Sequence, residues 1–156
     1  MSDRVRSVEA FTLTIPRDTP YLGASRPGEE PNAKGYLVRR SNKTVYPTFD
    51  RSILVRIETQ NGVVGWGETY GIVAPGAVLA LIEDLLADFT IGRDPLDPAV
   101  IHDDLYDLMR VRGYTGGFYL DALAAIDIAL WDIAGRIAGL PIARMLGGKR
   151  RDSLPA

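Results

Sequence analysis

The chain contains no cysteine and a single histidine, His102. Disulfides, thiolate zinc sites and cysteine nucleophiles are therefore excluded, and one histidine cannot build a multi-histidine metal centre. No apolar run approaches the ~20 residues that a bilayer-crossing helix needs. The charged opening Met1 to Arg6 lacks the apolar stretch of a secretory leader. Neither charge sign dominates: 18 lysines and arginines face 20 acidic residues. The one basic run, Lys149-Arg150-Arg151, is three residues long and reads as a solvated loop. These absences argue against nucleic acid and membrane as partners and leave a cytoplasmic enzyme, or part of one, as the expectation. What is present is ordinary for a globular domain: 46% hydrophobic and 24% charged residues over 156 positions, enough for one domain with a core.

The first half reads as strands. Val5 to Ile15 is rich in Val, Thr and Phe and makes a first strand. Pro16 to Gly35 follows with four prolines and three glycines, a loop long enough to demand a reason. It is either a disordered insert or a lid, and Tyr21-Leu22 in its first half favours the lid. A second strand begins near Tyr36, with Thr44-Val45-Tyr46 in it or in its turn. Ile53, Val55 and Ile57 share one face of a third, Asn61-Gly62 makes a hairpin turn, and Val63 to Glu68 returns. An antiparallel meander of about three strands results.

Then the period changes. Val78, Ile82, Leu85 and Phe89 fall on one face of a helix from Pro75, flanked by Leu79 and Leu86. Asp97 and Pro98 are the cap and first position of the next helix, which carries Ile101, Leu105 and Leu108 inward. Gly113 to Gly117 breaks it, and reads as a tight turn rather than a phosphate cradle. Tyr119 to Ala138 is apolar almost all round, so it is buried on more than one side. Gly139 and Pro141 end it. Strands followed by helices mean α+β.

Four stretches, in this order and spacing, resemble the enolase superfamily, specifically its mandelate racemase/muconate lactonising family. They are Asn61-Gly62-Val63-Val64-Gly65-Trp66-Gly67-Glu68, Arg112 to Gly117, Ala125 to Gly135 (Ala-Ile-Asp-Ile-Ala-Leu-Trp-Asp-Ile-Ala-Gly), and Gly139-Leu140-Pro141-Ile142 leading to Leu146-Gly147-Gly148. The resemblance implies an α+β capping domain over residues 1–118, a helical connection over 119–150, and at 151–156 the start of the first strand of a (β/α) barrel that is absent from this sequence. It implies that the barrel holds Mg²⁺ and the catalytic groups, so that no catalytic or metal-binding residue lies in this chain. It implies two loops closing over the substrate, one resembling Tyr21 to Gly35 and one Glu68 to Ile72.

The candidate substrate-binding residues are Arg17, Tyr21, Leu22, Glu68, Thr69 and Tyr70. Tyrosines at lid loops offer an apolar body with a polar tip, and Arg17 could draw a second carboxylate of a diacid. Each also has a plainer role: Tyr21 as loop anchor, Tyr70 as core-edge tyrosine, Thr69 as strand-end residue, Glu68 in a local pair, Arg17 as a solvated charge. Asp132 and Arg136, four apart, pair more plausibly than they form a site, and His102 is a surface histidine. The resemblance implies a sugar-acid dehydratase, because the Gly65-Trp66-Gly67-Glu68 turn and the long polar first loop look like those of sugar-acid members, and a loop with Arg, Glu, Asn and Lys suits a polyhydroxylated ligand; racemase, cycloisomerase and a non-catalytic binding module are the alternatives. The expected partners are the barrel, a sugar-acid substrate and further copies in a homo-oligomer. The 156-residue polypeptide alone is expected to turn over no sugar acid and to self-associate through the uncovered helix; a dye that binds exposed apolar surface, together with light scattering, checks the second point, and a clean, dye-silent monomer would contradict it.

Overall fold

In a computed structural model, residues 3–153 are described. The expected barrel strand at Leu154 to Ala156 lies outside them. β1 (Val5–Pro16), β4 (Phe49–Thr59) and β5 (Val64–Tyr70) form an antiparallel sheet in the order β1-β4-β5. β2 (Tyr36–Val38) and β3 (Val45–Pro47) pair in a hairpin of their own. The strand expected near Tyr36 is thus an excursion between β1 and β4, and the main sheet is a meander once this excursion is set aside. Gly62 turns the β4–β5 hairpin at φ 81°, the conformation that an Asn-Gly pair accepts at low cost.

The helices follow: α1 (Pro75–Leu81), a π turn (Ile82–Leu86), α2 (Ala87–Thr90), α3 (Pro98–Arg110), α4 (Phe118–Ala138) and α5 (Ile142–Met145). The first rod departs from expectation. Val78, Ile82, Leu86 and Thr90 are buried, four residues apart each time, while Phe89, expected inward, is 50% exposed. In a regular helix a four-residue step drifts by ~40° from the stripe. The π turn holds more residues per turn and absorbs that drift, so Leu86 replaces Leu85 at the centre and Phe89 turns outward. Asp97 does stand at the N-cap of α3 and Pro98 at its first turn, but the Asp97 side chain makes no capping bond.

α4 is the spine. Ala122, Leu123, Ala125, Ile126, Ala129, Leu130 and Ile133 share one core with Ile53, Val55 and Ile57 of β4 and with Val78, Ile82, Ile101 and Leu105. Gly139 closes it in the left-handed conformation (φ 64°); its N–H donates to the Arg136 carbonyl and that of Leu140 to the Gly135 carbonyl, the paired bonds of a Schellman end.

The helix lies so close to β5 that side chains are excluded between them. A Cβ on Gly67 would meet the Ala125 carbonyl, and one on Gly65 the Ala129 carbonyl and Ile133. Neither glycine has a positive φ, so each is required by space alone. Gly67→Ala is expected to cost about 1–3 kcal/mol, toward the upper end because the obstacle is backbone. Urea denaturation of the variant checks this; an unchanged midpoint would show that α4 does not seat this closely.

Candidate functional site

The loop between β1 and β2 has no regular secondary structure, yet it is folded around a buried ion pair. Arg39, just past β2, is 3% exposed and Glu29 is 2% exposed. Arg39 Nη1 donates to Glu29 Oε2 at 2.8 Å and to the Ala24 carbonyl at 3.1 Å. Its Nε donates to the Tyr21 carbonyl at 3.0 Å, and its Nη2 to the carbonyls of Tyr21 and Gly23. The second Glu29 oxygen accepts the Arg40 N–H at 2.8 Å. One guanidinium therefore gathers the backbone of residues 21–24, and Glu29 neutralises it, which is how a buried charge is tolerated. The Arg40 N–H, the Arg39 guanidinium and the Arg26 N–H together hold the Glu29 carboxyl down to about 2. Neither Arg39 nor Glu29 is singled out by the sequence, because their partners are mostly carbonyls, which carry no residue signature.

The clamp sets the fate of two predicted residues. Leu22 sits between two clamped carbonyls at φ 66° and is 67% exposed, an apolar side chain held outward in a conformation that costs a non-glycine residue energy. Tyr21 turns back onto the sheet. Its hydroxyl donates to Asp50 Oδ1 at 2.5 Å, and Arg17 Nη1 donates to the same oxygen at 2.6 Å. The Arg17 guanidinium also lies 4.1 Å from the centre of the Tyr21 ring. The Tyr21 hydroxyl bond, then the Arg17 one, lowers the Asp50 pKa; the bond to Asp50 in turn raises those of Tyr21 and Arg17. In this state both side chains anchor the loop to the start of β4. Asp50 was the missed partner; a lone carboxylate at a strand start gives no signal.

The second predicted group meets the first through β4. Ser52 is the ladder partner of Tyr70, as Leu54 is of Glu68, and Asp50 and Ser52 lie two residues apart on the same strand face. Ser52, Glu68, Thr69 and Tyr70, with Asp121, Ala124 and Ile128 of α4, line an open concavity of about 580 Å³. Tyr70 is 69% exposed, and among the described residues the Glu68 and Tyr70 side chains bond to no other group. Burial raises the Asp121 carboxyl. The site thus offers two carboxyl groups, two hydroxyls, a phenol and an apolar floor, which suits a polyhydroxylated ligand of moderate size. Among the described residues no three His, Asp or Glu gather where they could hold a metal ion, so no step through Mg²⁺ is assigned to these residues. His102 lies beside Asp103 at 3.3 Å on the outer side of α3. Asp132 and Arg136 pair at 3.0 Å as expected.

The profile of the mandelate racemase / muconate lactonizing enzyme N-terminal domain matches residues 39–147. A D-galactarolactone cycloisomerase from Agrobacterium fabrum is 42% identical over 110 residues, 69% of this chain and 28% of that protein. A D-galactonate dehydratase from Pectobacterium atrosepticum is 40% identical over 114 residues, 72% of this chain and 29% of that one. This chain thus spans under a third of the length of these relatives. Among solved structures, a Sinorhizobium meliloti protein provisionally named an isomerase is 76% identical, with a TM-score of 0.93, over 96% of this chain and 38% of that one. A second structure from that organism, in an open loop conformation, is 74% identical with a TM-score of 0.90, over 97% and 38%. An L-talarate/galactarate dehydratase from Salmonella typhimurium, holding Mg and L-lyxarohydroxamate, is 30% identical with a TM-score of 0.74, over 99% and 36%.

The loop clamp carries a pH dependence. A carboxyl whose pKa falls on folding stabilises the folded loop above its ordinary value, here 4.5, and this is lost as pH falls through about 2. Amide exchange of residues 21–29 should therefore quicken as pH drops from 4.5 toward 2, after correction for the intrinsic rate. Glu29→Gln should show the loosened loop already at pH 7, and a wild-type-like rate there would contradict the clamp.

Proposed function

The chain belongs to the mandelate racemase/muconate lactonizing enzyme family, as its N-terminal domain, and we propose that it caps and selects the substrate of a Mg-dependent enzyme acting on sugar acids. The catalytic barrel and its Mg²⁺ belong, on this reading, to residues outside this chain, docked over the open side of the concavity that Ala124 and Ile128 of α4 floor. The observation that carries it is the convergence of the clamped loop and the end of β5 on the start of β4, the loop through Asp50 and β5 through Ser52.

In the proposed reaction a proton α to a carboxylate is removed and the β-hydroxyl leaves, giving a 2-keto-3-deoxy acid. This chain's part is to exclude water and read the distal hydroxyls. Water exclusion strengthens the electrostatic contacts of the reacting centre, and binding energy from the remote end of the substrate can be spent there. Glu68 and Tyr70, free of internal partners, are the proposed readers of hydroxyls. Leu22 is the proposed apolar seal. Arg17 and Tyr21 are the proposed latch, released or kept as the loop moves; the open loop structure of the 74% identical relative supports such movement.

A second reading has its own support. The 42% identical relative is a cycloisomerase and the 76% identical neighbour carries an isomerase name. Isomerisation or lactone conversion shares the same recognition of a sugar-acid carboxylate, and only the fate of the intermediate differs.

The test is a panel of sugar acids and their lactones offered to the full-length protein with Mg²⁺, followed by NMR. A 2-keto-3-deoxy product supports dehydration, ring opening or epimerisation supports the second reading, and no turnover of any sugar acid would overturn both. On the accepted substrate, Tyr70→Phe should lower kcat/KM roughly 2–10-fold, the worth of one neutral hydrogen bond, and an unchanged value would remove Tyr70 from the site.

A further inference from the structure

The start of β4 is gripped from both sides. On one side Asp50 takes Arg17 and Tyr21 of the clamped loop. Side chains alternate along a strand, so Arg51 turns to the other side, the side of the buried Ile53. There its guanidinium lies 5.0 Å from the centre of the Tyr36 ring and 5.2 Å from that of Phe49. Its Nη2 also donates to the Lys34 carbonyl at 3.2 Å. A cation against two aromatic rings, with a bond to the neighbouring backbone, fixes where β2 meets the sheet.

Tyr36 belongs to the clamped loop by its backbone. Its N–H donates to Asn32 Oδ1 at 3.1 Å, and its carbonyl accepts the Asn32 N–H at 2.8 Å. β2 carries Tyr36 at one end, and just past the other end stands Arg39, whose guanidinium holds the carbonyls of Tyr21 and Gly23. The Tyr36 hydroxyl leaves this unit and accepts the Ala74 N–H at 3.1 Å. Ala74 stands four residues beyond Tyr70, at φ 51° and ψ 54°, a left-handed conformation that costs any residue with a Cβ. Between the two, the Gly71 N–H donates to the Arg51 carbonyl at 3.2 Å. Residues 71–74 are thus tied at both ends, to the Arg51 backbone and to Tyr36, and the Arg51 side chain holds Tyr36 as well.

We propose that Tyr36 is a positioning residue for the sugar-acid reaction, which joins the segment after Tyr70 to the clamped loop so that both meet the substrate as one unit. The proposal rests on the substrate site assigned under the proposed function. Tyr36 lies off the concavity that Ser52, Glu68 and Tyr70 line, so it acts through those residues. A tyrosine needed for its ring alone would leave its hydroxyl to water; this one gives it to a strained residue of the other segment. Contact at Glu68 or Tyr70 is then felt through Ala74, Tyr36, β2 and Arg39 at the backbone around Leu22, and the two ends of a sugar acid are read together.

The test uses the full-length protein and Tyr36→Phe, which removes the hydroxyl and keeps the ring against Arg51. Without substrate, the Ala74 amide should exchange roughly 3–10-fold faster in the variant, the worth of one neutral hydrogen bond, at an unchanged circular dichroism spectrum. With the accepted sugar acid, KM should rise by a similar roughly 3–10-fold at constant kcat. A merely less stable fold would instead lower the active fraction, and so kcat, and leave KM alone. In a Tyr70→Phe background the rise in KM should shrink, because Tyr36 acts through that segment. Unchanged exchange at Ala74 would overturn the link. Faster exchange with an unchanged KM, or an equal rise in KM in both backgrounds, would overturn the positioning role. A parent that turns over no sugar acid would sink the substrate reading and this role with it, and the exchange result would still tell whether the link itself exists.

Discussion

Backbone lies almost directly on backbone where α4 crosses β5, and the arrangement of the rest of the domain follows from that contact. Gly65 and Gly67 present no side chain on the inner face of the strand, and Ala125 and Ala129 present only methyls on the helix, so the carbonyls of the helix approach the strand itself. A gap there could not be filled by relaxation, because both partners are rigid elements. Asp132 fixes the register along the axis by accepting the Trp66 N–H and pairing with Arg136. With α4 seated, Ile126, Leu130 and Ile133 meet Ile53, Val55 and Ile57, and the first helical rod and α3 close the core from the other side.

The same seating places the concavity. The first turns of α4 carry Asp121, Ala124 and Ile128 to the end of β5, where Glu68, Thr69 and Tyr70 make its last ladder pairs with β4. The clamped loop then arrives at the neighbouring strand, held by Asp50. A rigid helix–sheet contact therefore sets where the clamped loop is anchored, so that scaffold and loop are built separately. Specificity on this plan lies in few residues on short tethers. On the proposed reading, exchanging the loop would alter the ligand accepted without disturbing the core; similar proteins include a D-galactonate dehydratase and a D-galactarolactone cycloisomerase.

Much of this was legible in the residues. The presence of β1, β4, β5 and α4, the Asn61-Gly62 turn and the Gly139 end come from period and local conformational preference, which act over a few neighbours, whereas β4 reaches back to Phe49 and β5 runs on to Tyr70, beyond the expected strands. The four resembling stretches gave the family. Phe89 faces outward, against its 3.6-residue period, because the π turn at Ile82–Leu86 winds more widely, and that widening has no signature at this length. The Arg39–Glu29 clamp and the Asp50 latch were not foreseen. Arg17 and Tyr21, expected among the substrate-binding residues, both bond to Asp50, a partner that spacing along the chain does not reveal.

By itself the sequence determined which segments are strands and which are helices, that α4 is wanted on more than one side, and that its own residues carry no thiol or multi-histidine chemistry. Those properties depend on composition and on spacing along the chain. Only the tertiary structure decided why Gly65 and Gly67 must be glycine, which arginine is buried, and that the apolar stripe of β1 faces outward. Each of those depends on what lies across a contact from residues distant in sequence, and periodicity along a chain does not encode its partner across a gap.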